Sequence, residues 1–330
     1  MTVLVTGGAG FIGSHLCVSL LKQGHRVVVI DNFNDFYPVV IKRDNARILK
    51  EFENCVIHEK DITNEKDVMG IFSRELPECV YHLAACAGVR PSLKQPFLYE
   101  KVNVVGTMNI LEASRKYGVK KFIFGSSSSV YGEREKVPFR EDDLLNNIVS
   151  PYAATKAAGE HFCRCYHSLY GLNTIVLRFF TVYGPRQRPE MAVCKFARMI
   201  DSGEKITVYG DGTSSRDYTF IDDIVQGLLG CLDADLKFDI INLGEATTIY
   251  LSDLVRIIEK HMGMQAKIEY GECQKGDVSR TFADITKARN LIGYDPQVNI
   301  EEGVKKFVSW YKSSYSNGIY RGQKSLMKNK

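Results

Sequence analysis

Short apolar runs rich in β-branched residues alternate with longer segments of helical periodicity along the first half of the chain. Short runs that are apolar on both faces are typical of buried parallel strands, and the longer segments are typical of the helices that connect them. This alternation predicts an α/β fold, a doubly wound parallel (Rossmann) sheet that binds ligands at the carboxyl ends of its strands. The predicted strands are Thr2–Thr6, Arg26–Ile30, Val56–Glu59, Cys79–Leu83, Phe122–Gly125 and Leu172–Phe180.

The pattern changes after Gly184, where polar loops separate shorter elements. We expect residues 1–184 to form an NAD-binding Rossmann domain, joined by a returning segment at about 217–248. Residues 185–216 and 249–330 would form a smaller C-terminal substrate-binding lobe, with the ligand in the cleft between the two. The predicted elements of this half are a helix at Ala192–Ser202, a hairpin-like turn at 208–212, a sheet strand at Ile240–Leu243 and a helix at Leu251–His261.

Composition and charge place the chain among ordinary globular proteins. It has 330 residues, of which 45% are hydrophobic and 25% charged, and its net charge of +4 is dispersed, so nucleic acid is not an expected partner. No apolar run is long enough to predict a membrane span, and no leader is expected before the first strand. Nine cysteines without Cys-x-x-Cys spacing or a paired histidine cluster indicate reduced thiols in the cytoplasm and no metal site.

A glycine-rich loop, Gly7-Gly8-Ala9-Gly10-Phe11-Ile12-Gly13, follows the first predicted strand. Its small residues would let the backbone approach a pyrophosphate, whose charge is stabilised at the N-terminus of the next helix. A glycine triplet alone is a weak signal, but its position between a strand and a helix is the context that supports a dinucleotide site. The expected contacts in this loop are Gly7, Gly10, Phe11, Ile12 and Gly13.

Asp31-Asn32 ends the second strand, about twenty residues beyond the glycines. A carboxylate there can accept hydrogen bonds from both hydroxyls of an adenosine ribose, and it would repel a 2′-phosphate. NAD is therefore favoured over NADP, and Lys42 and Arg43 are expected to be solvated. Further cofactor contacts are expected after the third and fourth strands and on the predicted helix Pro96–Lys116; these are Asp61, Ile62, Leu83, Ala84, Ala85 and Asn103.

Tyr152 and Lys156 are four residues apart in Ser150-Pro-Tyr-Ala-Ala-Thr-Lys, so in a helix they would share one face. A phenol has a pKa of about 10, and a lysine ammonium beside it favours the phenolate, so the pair is a plausible acid/base device. The spacing alone also occurs in many helices as an ordinary surface pair. Four serines, Ser126–Ser129, follow the fifth strand directly and stand where ligands bind in this fold.

The glycine loop, Asp31, the serine run and the Tyr152/Lys156 pair, in this order, resemble the extended short-chain dehydrogenase/reductases over almost the whole chain. Within that superfamily the chain is similar to the NAD-dependent nucleotide-sugar 4-epimerases, and most similar to the UDP-glucuronate 4-epimerases. The Ser-Val-Tyr-Gly stretch that ends at Gly132 and the pair Arg216-Asp217 match that pattern.

The resemblance implies a reaction as well as a fold. Tyr152 would take the proton from the sugar 4-hydroxyl, Ser127 would bridge the two, and Lys156 would hold the nicotinamide ribose and lower the Tyr152 pKa. Tightly bound NAD would accept hydride from C4 and return it to the other face of a rotated 4-keto sugar. The net reaction would be redox-neutral, with the hydride chemistry supplied by the cofactor.

The resemblance also implies which residues select the sugar. The 4,6-dehydratases carry two acids within the stretch that corresponds to Ser127–Ser129, and UDP-glucuronate decarboxylases carry a glutamate at the Ser129 position. This chain has serine there, so it lacks the carboxylate that either of these two activities would require. A sugar carboxylate would find neutral donors in Ser128, Ser129 and Thr181. Arg188 is the candidate cationic contact, although an ion pair that holds its own loop is an equal alternative.

For the nucleotide, the resemblance implies that Arg216 pairs with the pyrophosphate and Asp277 with the uridine ribose; Arg280 could serve a phosphate, with a solvated loop arginine as an equal alternative. Arg90 is a weaker candidate than Arg188 for the cationic contact with the sugar carboxylate. Thr281 stands where galactose-type epimerases carry a bulky tyrosine. A small residue opens the sugar pocket, so a UDP-N-acetylglucosamine or UDP-glucose 4-epimerase stays open as the alternative, ahead of a decarboxylase or a non-catalytic NAD-binding protein.

Two further implications concern departures and partners. Cys86 stands where the uronate epimerases carry glutamine. The family implies a homodimer through two helices of each subunit, one of which carries Tyr152.

Overall fold

In the computed structural model, residues 1–272 and 278–316 are described, with side chains as far as residue 314. The strands are β1 (Thr2–Thr6), β2 (Arg26–Asp31), β3 (Cys55–Glu59), β4 (Cys79–His82), β5 (Lys121–Ser127), β6 (Thr174–Phe179), β7 (Thr181–Tyr183), β8 (Lys205–Tyr209), β9 (Ser215–Arg216), β10 (Tyr218–Phe220), β11 (Phe238–Leu243), β12 (Ile249–Tyr250) and β13 (Lys267–Gly271). The helices are α1 (Phe11–Lys22), α2 (Val39–Leu49), α3 (Glu65–Glu75), α4 (Val89–Lys94), α5 (Pro96–Glu100), α6 (Gly106–Lys116), α7 (Pro151–Tyr170), α8 (Ala192–Ser202), α9 (Ile221–Asp233), α10 (Leu251–Met262), α11 (Thr286–Ile292) and α12 (Ile300–Ser316).

Seven strands form the main sheet in the order β3-β2-β1-β4-β5-β6-β11, and every neighbouring pair is parallel. The predicted doubly wound parallel sheet is confirmed. The strand order changes direction between β1 and β4, and such a point leaves a crevice at the carboxyl ends of the strands. That crevice is where the site described below is found.

Alternate side chains of the strands enter two separate cores, one on each face of the sheet. Val3 and Val5 of β1 pack with α1 and α9, whereas Leu4 between them packs with α3 and α6. Because both faces are covered, the strands are apolar on both sides, which is why they appear in the sequence as continuous apolar runs. Within the described residues, no helix is long and apolar enough to cross a membrane.

Most predicted boundaries hold to within two or three residues, but two elements differ in kind. The predicted helix Pro96–Lys116 is interrupted by a π-helical turn at Lys101–Val105 between α5 and α6. A turn follows β8 at residues 210–211, but the predicted hairpin is wrong, because β8 pairs in parallel with β13, far along the chain. A local turn signal could not reveal this long-range pairing.

The described part of the second half of the chain also contains three two-stranded sheets, β7–β10, β8–β13 and β9–β12. Asp217, between β9 and β10, is fully buried and accepts hydrogen bonds from the backbone of Glu245 (2.7 Å), Ala246 (3.2 Å) and Ala283 (3.1 Å). Burial raises its pKa to about 6, against the effect of these bonds. One carboxyl group thus joins three distant segments beside the cleft.

Candidate active site

A cleft of about 370 Å³ opens at the carboxyl ends of β1, β2, β4, β5 and β6. Its walls bring together most of the residues predicted for the site. The predicted residues that line it are Gly7, Gly10, Phe11, Ile12, Gly13, Asp31, Asn32, Ile62, Leu83, Ala84, Ala85, Ser127, Ser128, Ser129, Tyr152, Lys156, Thr181 and Arg188.

The glycine loop turns tightly from β1 into α1. A Cβ at Gly13 would lie 2.2 Å from the Gly7 carbonyl oxygen, and a Cβ at Gly7 would lie 2.9 Å from Cα of Ala84. A side chain at Gly7 would push the loop away from the end of β4, and one at Gly13 would force the loop itself open. The turn therefore brings the N-terminus of α1, whose first N–H groups have no partners within the helix, to the cleft. This arrangement fits the pyrophosphate of a dinucleotide.

Asp31 is buried at the end of β2, yet its carboxylate faces the cleft. One oxygen accepts the backbone N–H of Ala9 at 3.1 Å and the other accepts that of Phe33 at 2.9 Å. Each oxygen has a second acceptor site, so both can still receive a ribose hydroxyl. Asp61 does not line the cleft but accepts a hydrogen bond from Asn32 at 2.9 Å, so it positions a residue that does.

Asn103 lies behind the cleft wall. Its side-chain oxygen accepts the N–H of Cys86 at 2.8 Å, and its amide nitrogen donates to the Cys86 carbonyl (2.9 Å) and the Thr155 hydroxyl (3.0 Å). Asn103 thus joins the segment after β4 to the helix that carries Tyr152, and its predicted contact with the cofactor stays a prediction.

The helix α7 begins at Pro151, directly after an N-cap serine. The Ser150 hydroxyl accepts the backbone N–H of Ala153 at 3.2 Å, and Pro151 occupies the first helical position. Both features favour a helix start, because they leave fewer N–H groups without partners. Tyr152 therefore lies in the first turn and Lys156 one turn later, and both line the cleft.

The pKa shifts of Tyr152 and Lys156 differ from those predicted. Burial raises the pKa of Tyr152, while a hydrogen bond with Ser127 and the charge of Arg188 act to lower it. Burial lowers the pKa of Lys156 to about 8, and its ammonium donates to the Gly125 carbonyl at 2.6 Å. The predicted lowering of the Tyr152 pKa by Lys156 is therefore not found in this structure.

A buried network of hydrogen-bonded side chains joins α7 to the main sheet. Glu160, one turn beyond Lys156, accepts hydrogen bonds from Arg178 of β6 at 2.7 and 3.0 Å and from the Ser126 hydroxyl. All three side chains are buried. Such a fully bonded network orients its members, because breaking it leaves a charge buried without a partner.

On the sugar side of the cleft, hydroxyl groups predominate. Ser127 donates to the Ser129 hydroxyl at 3.1 Å, and Thr181 stands at the start of β7. Arg188 lines the cleft and also pairs with Glu190 at 3.1 Å. The ion pair within the loop is therefore present, and the contact of Arg188 with a substrate stays a prediction.

Three further predicted substrate contacts, Arg90, Arg216 and Arg280, do not line this cleft. Arg216 donates to the carbonyls of Val278 (2.6 Å) and Ser279 (3.2 Å), Arg90 stacks over the Tyr209 ring, and Arg280 over the Phe282 ring. Asp277 lies outside the described residues.

The cleft also contains residues that the sequence did not single out. The prediction of a solvated Lys42 is wrong: this side chain is 5% exposed and lines the cleft. Its neighbours on α2, Ile41, Ala46 and Leu49, are buried too, so helical periodicity was a signal that could have found it. The other unpredicted residues include Asn34, Phe36, Tyr37, Cys86, Phe179, Phe180 and Met191.

Comparisons with known proteins identify the family of this chain. The family profile described as GDP-mannose 4,6 dehydratase matches residues 4–307. A UDP-glucuronate 4-epimerase of Thermodesulfobacterium geofontis is 44% identical over 312 residues, 94% of this chain and 96% of that protein.

Two solved structures are similar to this chain in both fold and sequence. The UDP-glucuronic acid 4-epimerase from Bacillus cereus, in complex with UDP-glucuronic acid and NAD, has a TM-score of 0.90 and 38% identity, covering 96% of this chain and 100% of that one. A UDP-glucose 4-epimerase of Thermotoga maritima with UDP-glucose has a TM-score of 0.89 and 36% identity at the same coverage. The predicted family is confirmed: the chain belongs to the GDP-mannose 4,6-dehydratase-like family of extended short-chain dehydrogenase/reductases, and its relatives there include UDP-glucuronate 4-epimerases.

Proposed function

We propose that this protein is an NAD-dependent UDP-sugar 4-epimerase that interconverts UDP-glucuronate and UDP-galacturonate. One observation carries the proposal. A single cleft joins a glycine loop and Asp31, which suit NAD, to Ser127, Tyr152 and Lys156, with hydroxyls and no carboxylic acid at Ser128 and Ser129. The relatives named above act on the same class of substrate.

In this proposal the chain's own residues move and hold the proton. The Tyr152 oxygen takes the proton of the sugar 4-hydroxyl, and Ser127, whose hydroxyl acts to lower the Tyr152 pKa, orients the two. Bound NAD supplies a reversible hydride acceptor. Lys156, one turn along α7, is assigned the nicotinamide ribose, and Gly7, Gly13 and Asp31 are assigned the remainder of the dinucleotide.

A uronic acid substrate is favoured by the neutral donors of the cleft. The Ser128, Ser129 and Thr181 hydroxyls can bind a carboxylate in the plane of the sugar ring. A 4-keto uronic acid is a β-keto acid that loses carbon dioxide readily, and a carboxylate held in that plane resists this loss. Arg188 is assigned a contact with the same group, although it shares its charge with Glu190.

UDP-glucose or UDP-N-acetylglucosamine is the alternative substrate. Thr281 is buried, and its hydroxyl accepts the Asp217 N–H at 3.1 Å, so its short side chain is directed to the backbone. A small residue there leaves space for a larger substituent. The Thermotoga maritima relative is named for UDP-glucose.

The test uses purified full-length protein and UDP-glucuronate without added NAD. Formation of UDP-galacturonate, followed by NMR, is the expected result. Net NADH, or carbon dioxide with a UDP-pentose as the main product, contradicts the proposal. Parallel reactions with UDP-glucose and UDP-N-acetylglucosamine decide the substrate, since the preferred sugar has the highest kcat/KM.

We further propose the division into an NAD-binding domain at residues 1–184, with a returning segment at about 217–248, and a substrate-binding lobe at residues 185–216 and 249–330.

A homodimer is also proposed. The dimer is supported by solvent-exposed apolar side chains on α5–α7, among them Phe97 (85% exposed), Met108 and Leu169 (71% exposed). Exposed apolar patches of this kind mark interfaces. Light scattering should give the mass of two chains, and Phe97→Asp with Met108→Asp should give one. A monomeric wild-type protein contradicts the dimer.

A cytoplasmic location is proposed on the cysteines. The eight cysteines in the described part of the chain are unpaired, and six are buried. Thiols of this kind are typical of a reducing compartment.

A further inference from the structure

An ion pair belongs to the sugar side of the cleft. The Arg188 guanidinium lies 3.1 Å from a carboxylate oxygen of Glu190, and the Arg188 side chain is 19% exposed whereas that of Glu190 is 42% exposed. Arg188 lines the cleft and Glu190 does not. The pair therefore extends from the wall of the cleft toward solvent, with its anionic member on the solvent side.

The backbone around this pair is held by other contacts. Gln187 is 1% exposed; its backbone N–H donates to the Gly184 carbonyl at 3.2 Å, and its side-chain amide donates to the Val182 carbonyl at 3.2 Å. The Met191 N–H donates to the Arg188 carbonyl at 3.1 Å. The loop thus has anchors that do not involve the Glu190 carboxylate, so support of the backbone is not a sufficient reason for the ion pair.

The charges of both residues act inside the cleft. Burial raises the pKa of Tyr152 and of Tyr99, and the positive charge of Arg188 acts to lower both. The Tyr99 ring packs edge-on against that of Tyr152, with ring centroids 6.1 Å apart. The negative charge of Glu190 acts to raise the Tyr99 pKa, so it opposes Arg188 there. An anion that enters the sugar side would therefore meet the charge of Arg188 already reduced by that of Glu190.

We propose that Glu190 is a specificity-determining residue for the sugar: its carboxylate competes with the carboxylate of a uronic acid for the Arg188 guanidinium. The inference rests on the proposed function, in which Arg188 contacts that group. A guanidinium has enough N–H donors for two carboxylates, but two anions on one cation repel each other, so each is bound less tightly than it would be alone. Glu190 therefore lowers the affinity for a charged sugar and leaves the affinity for a neutral sugar unchanged.

Three other roles of Glu190 predict different results when its charge is removed. If Glu190 only orients Arg188 toward the substrate, UDP-glucuronate binds less tightly without it. If the pair acts on the diphosphate, UDP and every UDP-sugar gain affinity alike. If Glu190 is an ordinary solvated acid, no affinity changes.

The experiment uses steady-state kinetics on the full-length protein with its bound NAD. In Glu190→Gln, KM for UDP-glucuronate should fall about three- to fivefold, because the competing anion is removed. The inhibition constants of UDP-glucose and of UDP, measured against the same reaction, should change by less than about 1.5-fold, because neither ligand carries a sugar carboxylate.

Two controls separate this effect from a general change of charge. Glu302→Gln removes a carboxylate of similar exposure that pairs with Lys306 at 3.0 Å on α12 and does not line the cleft, so no constant should change by more than about 1.5-fold. In an Arg188→Gln background, Glu190→Gln should no longer lower KM, because the shared cation is absent. Circular dichroism and NAD content report folding, and Glu190→Ala repeats the test if the Gln variant fails to fold.

An unchanged or raised KM for UDP-glucuronate in Glu190→Gln overturns the inference, and so does an equal gain for UDP. A gain that persists in the Arg188→Gln background also overturns it, because the effect then does not act through Arg188. If the wild-type protein does not interconvert UDP-glucuronate and UDP-galacturonate, the proposed function itself fails, and that outcome is read from the wild type alone.

Discussion

The two halves of the cleft are built differently. The cofactor half is formed by backbone at the ends of parallel strands, where Gly7 N–H donates to the Ile30 carbonyl at 2.7 Å and Leu83 N–H to the Thr6 carbonyl at 3.3 Å. The sugar half is formed by side chains: the hydroxyls of Ser128 and Ser129 and the paired charge of Arg188.

This difference indicates which part of the site can vary in sequence. Ladder hydrogen bonds and glycine contacts admit few substitutions, so the cofactor half is set with the fold. Side chains on loops can be exchanged without disturbing a sheet, so the sugar half can change while the cofactor half persists. The comparison predicts that variants of the cofactor half lose NAD or stability, whereas variants of the sugar half alter substrate parameters alone.

The largest effect is expected where the halves meet, at Tyr152. Tyr152→Phe should lower kcat by about 10²- to 10⁴-fold, because the acid/base group is removed. NAD content should not change, since Phe keeps the ring. The matched control is Tyr166→Phe on the same helix, whose hydroxyl donates to Glu112 away from the cleft and whose loss should leave kcat within about twofold. Full activity in Tyr152→Phe would refute the assigned base.

Gly13→Ala tests the rigidity of the cofactor half. The added methyl would meet backbone at 2.2 Å, so we expect a loss of about 3 kcal/mol in the free energy of unfolding and little copurifying NAD. Urea unfolding measures the first and absorbance the second.

The matched control for Gly13→Ala is Gly70→Ala in α3. Nothing lies within 4 Å of its added methyl, and alanine is the better helix former, so stability should rise by about 0.5–1 kcal/mol. Equal behaviour of the two variants would contradict the tight-loop argument.

Lys156 should make stability depend on pH. Its folded-state pKa of about 8 is below the ordinary lysine pKa of 10.5, so between these values the folded chain binds fewer protons than the unfolded one. The contribution of Lys156 therefore becomes more favourable as pH rises across this window. Relative to Lys156→Met, wild-type stability should increase by about 2 kcal/mol between pH 7.5 and 9.5.

Urea midpoints at the two pH values measure this difference. Lys60→Met, which removes a half-exposed lysine, should show no such pH dependence relative to wild type. A parallel response of wild type and Lys156→Met would mean that Lys156 titrates normally.

The smallest effect is expected on the sugar side. Ser128→Ala removes one neutral hydrogen bond, worth about 1 kcal/mol, so KM for UDP-glucuronate should rise about fivefold. NAD content and melting temperature should not change. A loss of NAD in this variant would contradict the separation of the two halves.

The sequence by itself determined the parallel α/β fold, the glycine loop, Asp31 and the shared face of Tyr152 and Lys156. These features depend on local periodicity and on residues that immediately follow strands, and both can be read along the chain. Fold class and family were therefore predictable.

Only the tertiary structure decided which side chains reach the cleft and what they meet there. Asn103, predicted to contact the cofactor, is hydrogen-bonded to Cys86, and Lys42 was predicted to be solvated but is buried. The parallel pairing of β8 with β13 and the raised pKa of Tyr152 were likewise beyond the sequence. Each depends on packing between residues far apart in the chain, and burial, which sets the cost of a charge, is fixed only when those segments meet.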